Sequence, residues 1–319
     1  MSGAPASARR AAAIDIGTNS VLLTIAEQDV GGVIALDERA TITRLGEGVD
    51  ASRELDPGAC RRTLDCLSDY ARAIVGAGVE RVAAVGTSAL RDAAGCEQFL
   101  SEAASVLGVR PRVLDGGEEA RLTFVGAASG FGLAGELLVF DVGGGSTEIV
   151  HGDIARSFSS RAAAVTAWAS LDVGSVRLFE RHVRHDPPTP AEIERVREAL
   201  RSALAPVPRG RYSALVGVAG TVTTLSAIVR GASVRDPVAA HGDRLSLPEI
   251  ESVTARLAAL PLSRRIGLAG LDPGRADVIV VGALIVEELV RWAGSDALWV
   301  SDRGVRWGLL DELLSETDG

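Results

Sequence analysis

Two segments of the chain share the pattern D-x-G-x-x-S, one from Asp15 to Ser20 and one from Asp141 to Ser146. Each lies between two apolar stretches of strand length, so each predicts a strand, a tight polar turn and a returning strand. The repeat distance of 126 residues indicates two related domains. We therefore predict a two-domain protein whose polar turns face each other across a cleft.

The segments around these turns alternate between strand and helix patterns. After Asp56-Pro57, for example, apolar residues recur at the spacing of one helix face, and a strand pattern follows. This alternation is typical of an α/β protein in which helices flank a central sheet. We predict domains over residues 1–131 and 132–302, with a final helix over about residues 303–319 that packs back on the first domain.

The two turns carry groups that suit phosphate. A glycine-rich turn exposes successive backbone N–H groups, and such a concave set of donors holds phosphate oxygens. The candidate phosphate-binding residues are Gly17, Thr18, Asn19, Ser20, Gly143, Gly144, Gly145 and Ser146. Asp15 and Asp141 end the preceding strands and suit Mg²⁺, which takes one or two carboxylates and keeps several waters. Ordinary hairpin turns use the same residue types, but two matching turns in matching contexts favour phosphate binding.

The basic residues exclude two kinds of catalytic site. All 33 of them are arginines, and the chain has no lysine. A P-loop requires the lysine of its GxxxxGK motif, and Schiff-base catalysis requires a lysine amine. With a net charge of −9, general attraction to nucleic acid or to an anionic membrane is not expected either. Any bound phosphate must be held by backbone amides, hydroxyls, arginines or a metal ion.

Nothing in the sequence predicts export or membrane insertion. The longest strongly apolar run, residues 278–286, is shorter than a membrane span, and Asp15 interrupts the N-terminal apolar stretch before a signal-peptide core forms. Three cysteines without a CxxC pair fit reduced thiols. We therefore expect a cytoplasmic protein.

Three loops resemble the phosphate-1, phosphate-2 and adenosine loops of the actin, Hsp70 and sugar-kinase superfamily: DIGTNS at 15–20, DVGGGSTEIV at 141–150 and VGVAGTVTTL at 216–225. Four further segments resemble one branch of it, the exopolyphosphatase/guanosine pentaphosphate phosphohydrolase (Ppx/GppA) family in its short two-domain form: GTSALRDA at 86–93, GGEEARLTF at 116–124, LDVGSVRLFERHVRHDPPT at 171–189 and GRADVIVVGALIVEEL at 274–289. The resemblance implies two actin-like (ribonuclease H-like) domains, each a mixed sheet flanked by helices, facing across a cleft.

The resemblance also implies roles for single residues. Glu119 corresponds to the catalytic glutamate, which would orient or deprotonate the water that attacks a terminal phosphorus. On the residues alone, Glu118 and Glu119 equally fit first-turn glutamates that favour the helix dipole. Asp141 would hold Mg²⁺, or Mn²⁺ as the alternative ion, with Asp15 in support. The phosphate-binding candidates added on this basis are Ser88, Arg91, Gly220 and Thr221.

The implied activity is the release of orthophosphate from the ends of inorganic polyphosphate. Three alternatives remain open: a guanosine pentaphosphate 5′-phosphohydrolase, an ATPase or kinase of the superfamily, and a non-catalytic protein that binds guanosine tetraphosphate. Relatives are commonly dimers, and the apolar surfaces of the second domain would permit a homodimer, but the sequence does not determine the oligomeric state. Seven arginines are candidates for a polyanion path, and the sequence assigns none of them to it: Arg161, Arg177, Arg181, Arg184, Arg264, Arg265 and Arg275.

Overall fold

Two separate sheets organise the chain, one in each half of the sequence. The computed structural model describes residues 9–29, 32–130, 133–154, 163–232 and 240–315. The strands of the first sheet are β1 (Arg9–Ile16), β2 (Ser20–Asp29), β3 (Gly32–Ile42), β4 (Arg81–Gly86) and β5 (Arg112–Val113). The strands of the second are β6 (Gly135–Val142), β7 (Thr147–Ile154), β8 (Ala163–Leu171), β9 (Ala214–Val218), β10 (Arg244–Ser246) and β11 (Ala297–Val300).

Helices flank both sheets. Those of the first half are α1 (Val49–Ser52), α2 (Pro57–Gly76), α3 (Ser88–Asp92), α4 (Glu97–Leu107) and α5 (Gly116–Ala128). Those of the second half are α6 (Ser175–His182), α7 (Pro190–Leu204), α8 (Ala219–Arg230), α9 (Leu247–Ala259), α10 (Leu262–Arg265), α11 (Ile279–Ala293) and α12 (Val305–Ser315), with a 3₁₀ turn at Pro273–Arg275.

The two sheets share one plan, with strand orders β3-β2-β1-β4-β5 and β10-β11-β9-β6-β7-β8. In each, a D-x-G-x-x-S turn joins an antiparallel pair, β1 with β2 or β6 with β7. A parallel strand, β4 or β9, lies on the other side of the first strand of the pair. The fold class predicted from the sequence, two mixed sheets flanked by helices and facing across a cleft, is confirmed.

Strand β1 is buried on both faces. Its side chains alternate, so that Ala12 and Ile14 pack in the cluster formed with α2 and α4, whereas Ala11 and Ala13 pack in the cluster formed with α12. Alanine suits this position because it lets a helix approach the sheet closely. The C-terminal helix α12 thus contacts the first sheet. The division into domains stays a prediction, and its boundary at residues 131 and 132 lies outside the described residues.

The most apolar segment of the sequence forms the central helix of the second half. Helix α11 is buried around most of its circumference in the largest hydrophobic cluster. Its two buried carboxylates, Glu287 and Glu288, pair with Arg197 of α7, which offsets the cost of burying their charge. Within the described ranges, no helix has both the length and the apolar character that crossing a membrane requires.

Candidate active site

The two glycine turns lie against each other in one cleft with a volume of about 480 Å³. A Cβ atom built on Gly144 would lie 3.0 Å from Thr18 Cβ, and one on Gly145 would lie 2.4 Å from Ser88 Oγ. Only glycine permits this close approach of the two halves. The sequence-predicted site residues that line the cleft are Asp15, Gly17, Thr18, Asn19, Ser20, Ser88, Glu119, Asp141, Gly143, Gly144, Gly145, Ser146, Gly220 and Thr221.

Each turn is closed by the same hydrogen bond. Gly17 N donates to Ser20 O at 3.0 Å, and Gly143 N donates to Ser146 O at 3.0 Å. A Cβ at Gly17 or Gly143 would lie 2.9 or 3.0 Å from the serine carbonyl oxygen that closes its own turn. The glycine at the third position of the repeated motif is therefore required by the tightness of the turn.

The carbonyl groups of the first turn are held by the segment that follows β3. Thr18 O accepts a hydrogen bond from Gly46 N at 2.8 Å, and Asn19 O accepts from Thr43 N and Arg44 N at 3.1 and 3.0 Å. In a trans peptide, the C=O of one residue and the N–H of the next point to opposite sides. Because Thr18 O points toward this segment, the Asn19 N–H points away from it.

Helix α6 holds the second turn in the same way. Each of the three glycine carbonyls accepts a hydrogen bond from α6. Gly143 O and Gly144 O accept from backbone N–H groups at the start of the helix at 2.9–3.1 Å, and Gly145 O accepts from Arg177 Nε at 2.6 Å. The N–H groups that follow these carbonyls, those of Gly144, Gly145 and Ser146, therefore point away from α6. They have no backbone acceptor within the described part of the chain. Three such donors in succession suit the oxygens of a phosphate group.

Four carboxyl groups converge beside the turns. Asp15 and Asp141 lie near the ends of β1 and β6, and Glu119 lies in the first turn of α5. Glu148 lies directly opposite Asp141 in the register of the antiparallel strands β6 and β7. Burial, with repulsion from neighbouring carboxylates, raises the pKa of Asp15 to about 8 and that of Asp141 to about 7. Burial also raises the pKa of Glu148 well above its usual range. Such a group of perturbed carboxyls in a cleft is typical of a functional site.

The two glutamates in the first turn of α5 lie in different environments. Glu118 completes a capping box with Asp115 and forms an ion pair with Arg112 at the surface. Glu119 is only 7% exposed, and its Oε2 accepts a hydrogen bond from Arg91 Nη1 at 2.7 Å. Burial raises the pKa of Glu119, while the Arg91 guanidinium lowers it. Arg91 does not line the cleft and reaches the site through Glu119.

Glu148 is a site residue that the sequence reasoning missed. Its side chain is fully buried, and its Oε1 accepts a hydrogen bond from Ser170 Oγ of β8 at 2.8 Å. A lone glutamate inside the apolar strand TEIV was the signal that could have identified it, because a carboxylate is seldom buried without a specific reason.

Arg275 lies across the start of α8, where a loop was expected. Strand β9 ends at Val218, and the helix begins at once with Ala219, whose φ of 78° is unfavourable for a residue with a Cβ. A Cβ at Gly220 would lie 2.2–2.6 Å from guanidinium atoms of Arg275, so a side chain here would displace the guanidinium from its present position. Arg275 Nη2 donates to Ser20 Oγ at 3.0 Å, and no carboxylate of the described residues pairs with it. A guanidinium in this state suits an anionic ligand.

The other arginines considered for a polyanion path are placed elsewhere. Arg177 and Arg181 pair with Asp50, Arg265 pairs with Asp186, and Arg184 donates to backbone carbonyls. Arg264 is exposed, and Arg161 lies outside the described residues. The sequence pattern did not predict a second arginine of the cleft, Arg306. It lines the cleft, donates to Leu23 O and Thr24 Oγ1, and lowers the pKa of Asp15.

The carboxylates fit a divalent cation that is held partly by other ligands. Asp15 Oδ1 is buried and has no hydrogen-bond partner among the described residues. A buried oxygen of this kind is costly unless a cation or a water satisfies it. In the described part of the chain, no group of three or more His, Cys, Asp or Glu side chains is arranged to hold a metal ion. The unsatisfied oxygen of Asp15, with Asp141 nearby, can serve a hard divalent cation whose other ligands are waters and substrate oxygens.

Known proteins resemble this chain over nearly its full length. Residues 24–317 match the model of the Ppx/GppA phosphatase family. Exopolyphosphatase 2 of Mycobacterium tuberculosis is 42% identical over 94% of this chain and 97% of its own length. A guanosine-5'-triphosphate,3'-diphosphate pyrophosphatase of Vibrio atlanticus is 31% identical over 96% of this chain and 59% of its own length.

A solved structure gives the same result. The crystal structure of the Aquifex aeolicus member of the Ppx/GppA family superimposes with a TM-score of 0.81 and 34% sequence identity, over 98% of this chain and 100% of that one. The resemblance predicted from the sequence is therefore confirmed. This chain belongs to the Ppx/GppA phosphatase family.

Proposed function

We propose that this protein is an exopolyphosphatase, which releases orthophosphate from the ends of inorganic polyphosphate. The observation that carries the proposal is the meeting of two glycine turns and a buried glutamate, Glu119, in one cleft. A chain of phosphates offers oxygens along its whole length, so it can contact both turns at once. The similarity to exopolyphosphatase 2 of Mycobacterium tuberculosis supports this substrate over the alternatives.

In the proposed mechanism, Glu119 accepts a proton from the water that attacks the terminal phosphorus. Phosphoryl transfer requires little beyond the position of the reactants and the stabilisation of charge. Burial brings the pKa of Glu119 closer to neutral pH, where a carboxylate is a better general base. Arg91 holds the Glu119 carboxylate in one orientation through its 2.7 Å hydrogen bond. We therefore propose that Arg91 supports the base, whereas the resemblance implies a role in binding phosphate.

Proteins of this family generally depend on a divalent metal. We propose that Asp15 and Asp141 hold Mg²⁺, with Mn²⁺ as the alternative ion, because Asp15 Oδ1 lacks a partner among the described residues. The bound ion would neutralise charge on the phosphate oxygens. It would also relieve the repulsion between the two aspartates and Glu119.

Arg275 provides a test of substrate binding. Replacing Arg275 with Met is expected to raise the KM for polyphosphate about 10- to 100-fold, because a charged hydrogen bond to phosphate is lost. The matched control is Arg264→Met, since Arg264 is an exposed arginine in the same half of the chain. The KM of each variant is measured from steady-state phosphate release. Equal KM values for Arg275→Met and Arg264→Met would contradict the assignment of Arg275.

A second candidate is the hydrolysis of guanosine pentaphosphate at its 5′ end. The cleft continues beyond Gly220 along α8 to Thr224 and Ala227, which leaves room for a group larger than phosphate. The relative from Vibrio atlanticus, a guanosine-5'-triphosphate,3'-diphosphate pyrophosphatase, points the same way but is longer than this chain.

One assay tests the proposed function against its alternatives. Orthophosphate release is measured from polyphosphates of defined length, guanosine pentaphosphate and ATP at equal phosphate concentration. We expect kcat/KM to be highest for polyphosphate. A higher value for guanosine pentaphosphate would favour the second candidate, and a preference for ATP would refute both.

A further inference from the structure

One face of helix α6 joins the two halves of the molecule beside the glycine turns. The Arg177 side chain is only 5% exposed, and its Nη1 donates to Asp50 Oδ1 at 2.5 Å. Its Nη2 pairs with Asp92 at the end of α3 and approaches Ser88 Oγ at 3.4 Å. On the same face, Arg181 donates to both carboxylate oxygens of Asp50 at 2.6 Å.

These contacts connect the two elements that hold the turns from behind. Helix α6 holds the carbonyls of the second turn, as described above, and residues 43–46 hold those of the first. The chain continues from residue 46 into Gly48 and Asp50, which contact α6: Gly48 N donates to Glu180 Oε1 at 2.9 Å, and Asp50 accepts from both arginines. The position of one turn relative to the other therefore depends on this contact.

Arg177 differs from its neighbours because it also touches the site itself. Its Nε donates to Gly145 O at 2.6 Å, and its Nη2 lies near Ser88 Oγ, and both Gly145 and Ser88 line the cleft. By trans-peptide geometry, the hydrogen bond to Gly145 O directs the Ser146 N–H away from α6. One planar group thus links the second turn to α1 and α3 of the other half.

We propose that Arg177 is a positioning residue that sets the two phosphate-binding turns in their relative orientation. The inference rests on the proposed function, because it assigns Arg177 a part in the same site. Arginine suits this role since its guanidinium presents donors in a rigid fork, whereas a lysine is a single flexible point charge. Little water reaches the group, so its ion pairs are weakly screened.

Arg181 supplies a matched control. It pairs with the same Asp50 across the same contact, but its side chain is 42% exposed and, among the described residues, forms no hydrogen bond or ion pair with a residue of the cleft. If α6 only joins the two halves, loss of either arginine should change kcat to a similar extent. If Arg177 orients the turns, only its loss should impair the chemical step.

The experiment compares Arg177→Met, Arg177→Lys and Arg181→Met with the wild-type protein. For Arg177→Met we expect kcat for polyphosphate to fall about 100-fold while KM changes less than about threefold, because misplacing reacting groups by about 1 Å has effects of this size. For Arg181→Met, an ion pair at the surface, we expect kcat within about threefold of wild type. Arg177→Lys should recover thermal stability but not kcat.

A second readout does not depend on the substrate. Hydrogen–deuterium exchange is followed at three hydrogen-bonded N–H groups: Gly143 N, which closes the second turn, and Ser175 N and Val176 N, which donate to its carbonyls. Exchange at these groups should be faster in Arg177→Met than in Arg181→Met. If wild-type protein releases no phosphate from polyphosphate, the proposed function fails, and this exchange measurement still decides the role of Arg177. Where Arg177→Met does not fold, Asp92→Ala removes one anchor of the guanidinium and should lower kcat about tenfold.

Equal kcat values for the Met variants of Arg177 and Arg181, full recovery of kcat by Arg177→Lys, or equal exchange at the N–H groups of Gly143, Ser175 and Val176 would overturn the proposal.

Discussion

Glu119→Gln is expected to lower kcat for polyphosphate by about a thousandfold, within the range that general-base catalysis contributes. The amide keeps the size of the side chain but cannot accept the proton of the attacking water. Because Glu119 does not hold the phosphates in the proposed mechanism, KM should change little. Single-turnover phosphate release, with binding of a short polyphosphate measured separately, checks both expectations.

Glu118→Gln is the control for this variant. Glu118 precedes Glu119 in the same helix turn, but it caps α5 and pairs with Arg112 at the surface. Glutamine retains the capping-box hydrogen bond, so activity should stay within about twofold of wild type. Normal turnover by Glu119→Gln would refute the proposed mechanism, and equal losses in the two variants would indicate damage to the helix.

Asp141→Asn is expected to lower turnover about a thousandfold and to abolish the stabilisation of the protein by Mg²⁺, because a metal ion contributes several kcal/mol of charge stabilisation to phosphoryl transfer. The metal-dependent rise in Tm measures binding without reference to activity. Asp153→Asn is the matched control, since Asp153 lies on β7 of the same sheet but is exposed. A Mg²⁺-dependent rise in Tm that persists in Asp141→Asn would exclude Asp141 as a metal ligand.

The same variant should be more stable than wild type when the metal is removed. Burial raises the pKa of Asp141 from 3.8 to about 7, so the folded protein binds this proton more tightly than the unfolded chain does. The resulting stability is present at acid pH and is lost as the pH rises through 7. In EDTA, the Tm of Asp141→Asn should therefore exceed that of wild type by several degrees at pH 8 and by less at pH 5. An identical difference in Tm between the variant and wild type at both pH values would contradict the raised pKa of Asp141.

Local features of the structure follow the sequence closely. Helix α2 begins at Pro57 after the Asp56 cap, as the pattern predicts, and it ends at Gly76. Strands β3 and β8 were not predicted. Strand β3 lies at the edge of its sheet with exposed side chains such as Ile34 and Leu36, and an exposed strand lacks the buried apolar pattern that marks a strand in sequence.

Contacts between distant residues account for what the sequence did not predict at the site. Ser20 and Arg275 are separated by 255 positions and yet share a hydrogen bond. The partners of Arg177 on the other half lie 85 and 127 positions away from it. An arginine in a sequence suits a phosphate, a carboxylate or solvent equally well, because only the folded chain decides which group lies within reach.

The sequence by itself determined the two turns and the binding chemistry that they offer. A glycine three residues before a serine carbonyl, between two strands, specifies a tight turn through backbone sterics that act within a few residues. The tertiary structure alone decided that both turns face one cleft, that Glu119 rather than Glu118 lies in it, and that Glu148 is buried beside Glu119 and Asp141. These outcomes depend on how helices and sheets pack over long separations, where burial and the pairing of charges select among side chains that look alike in sequence.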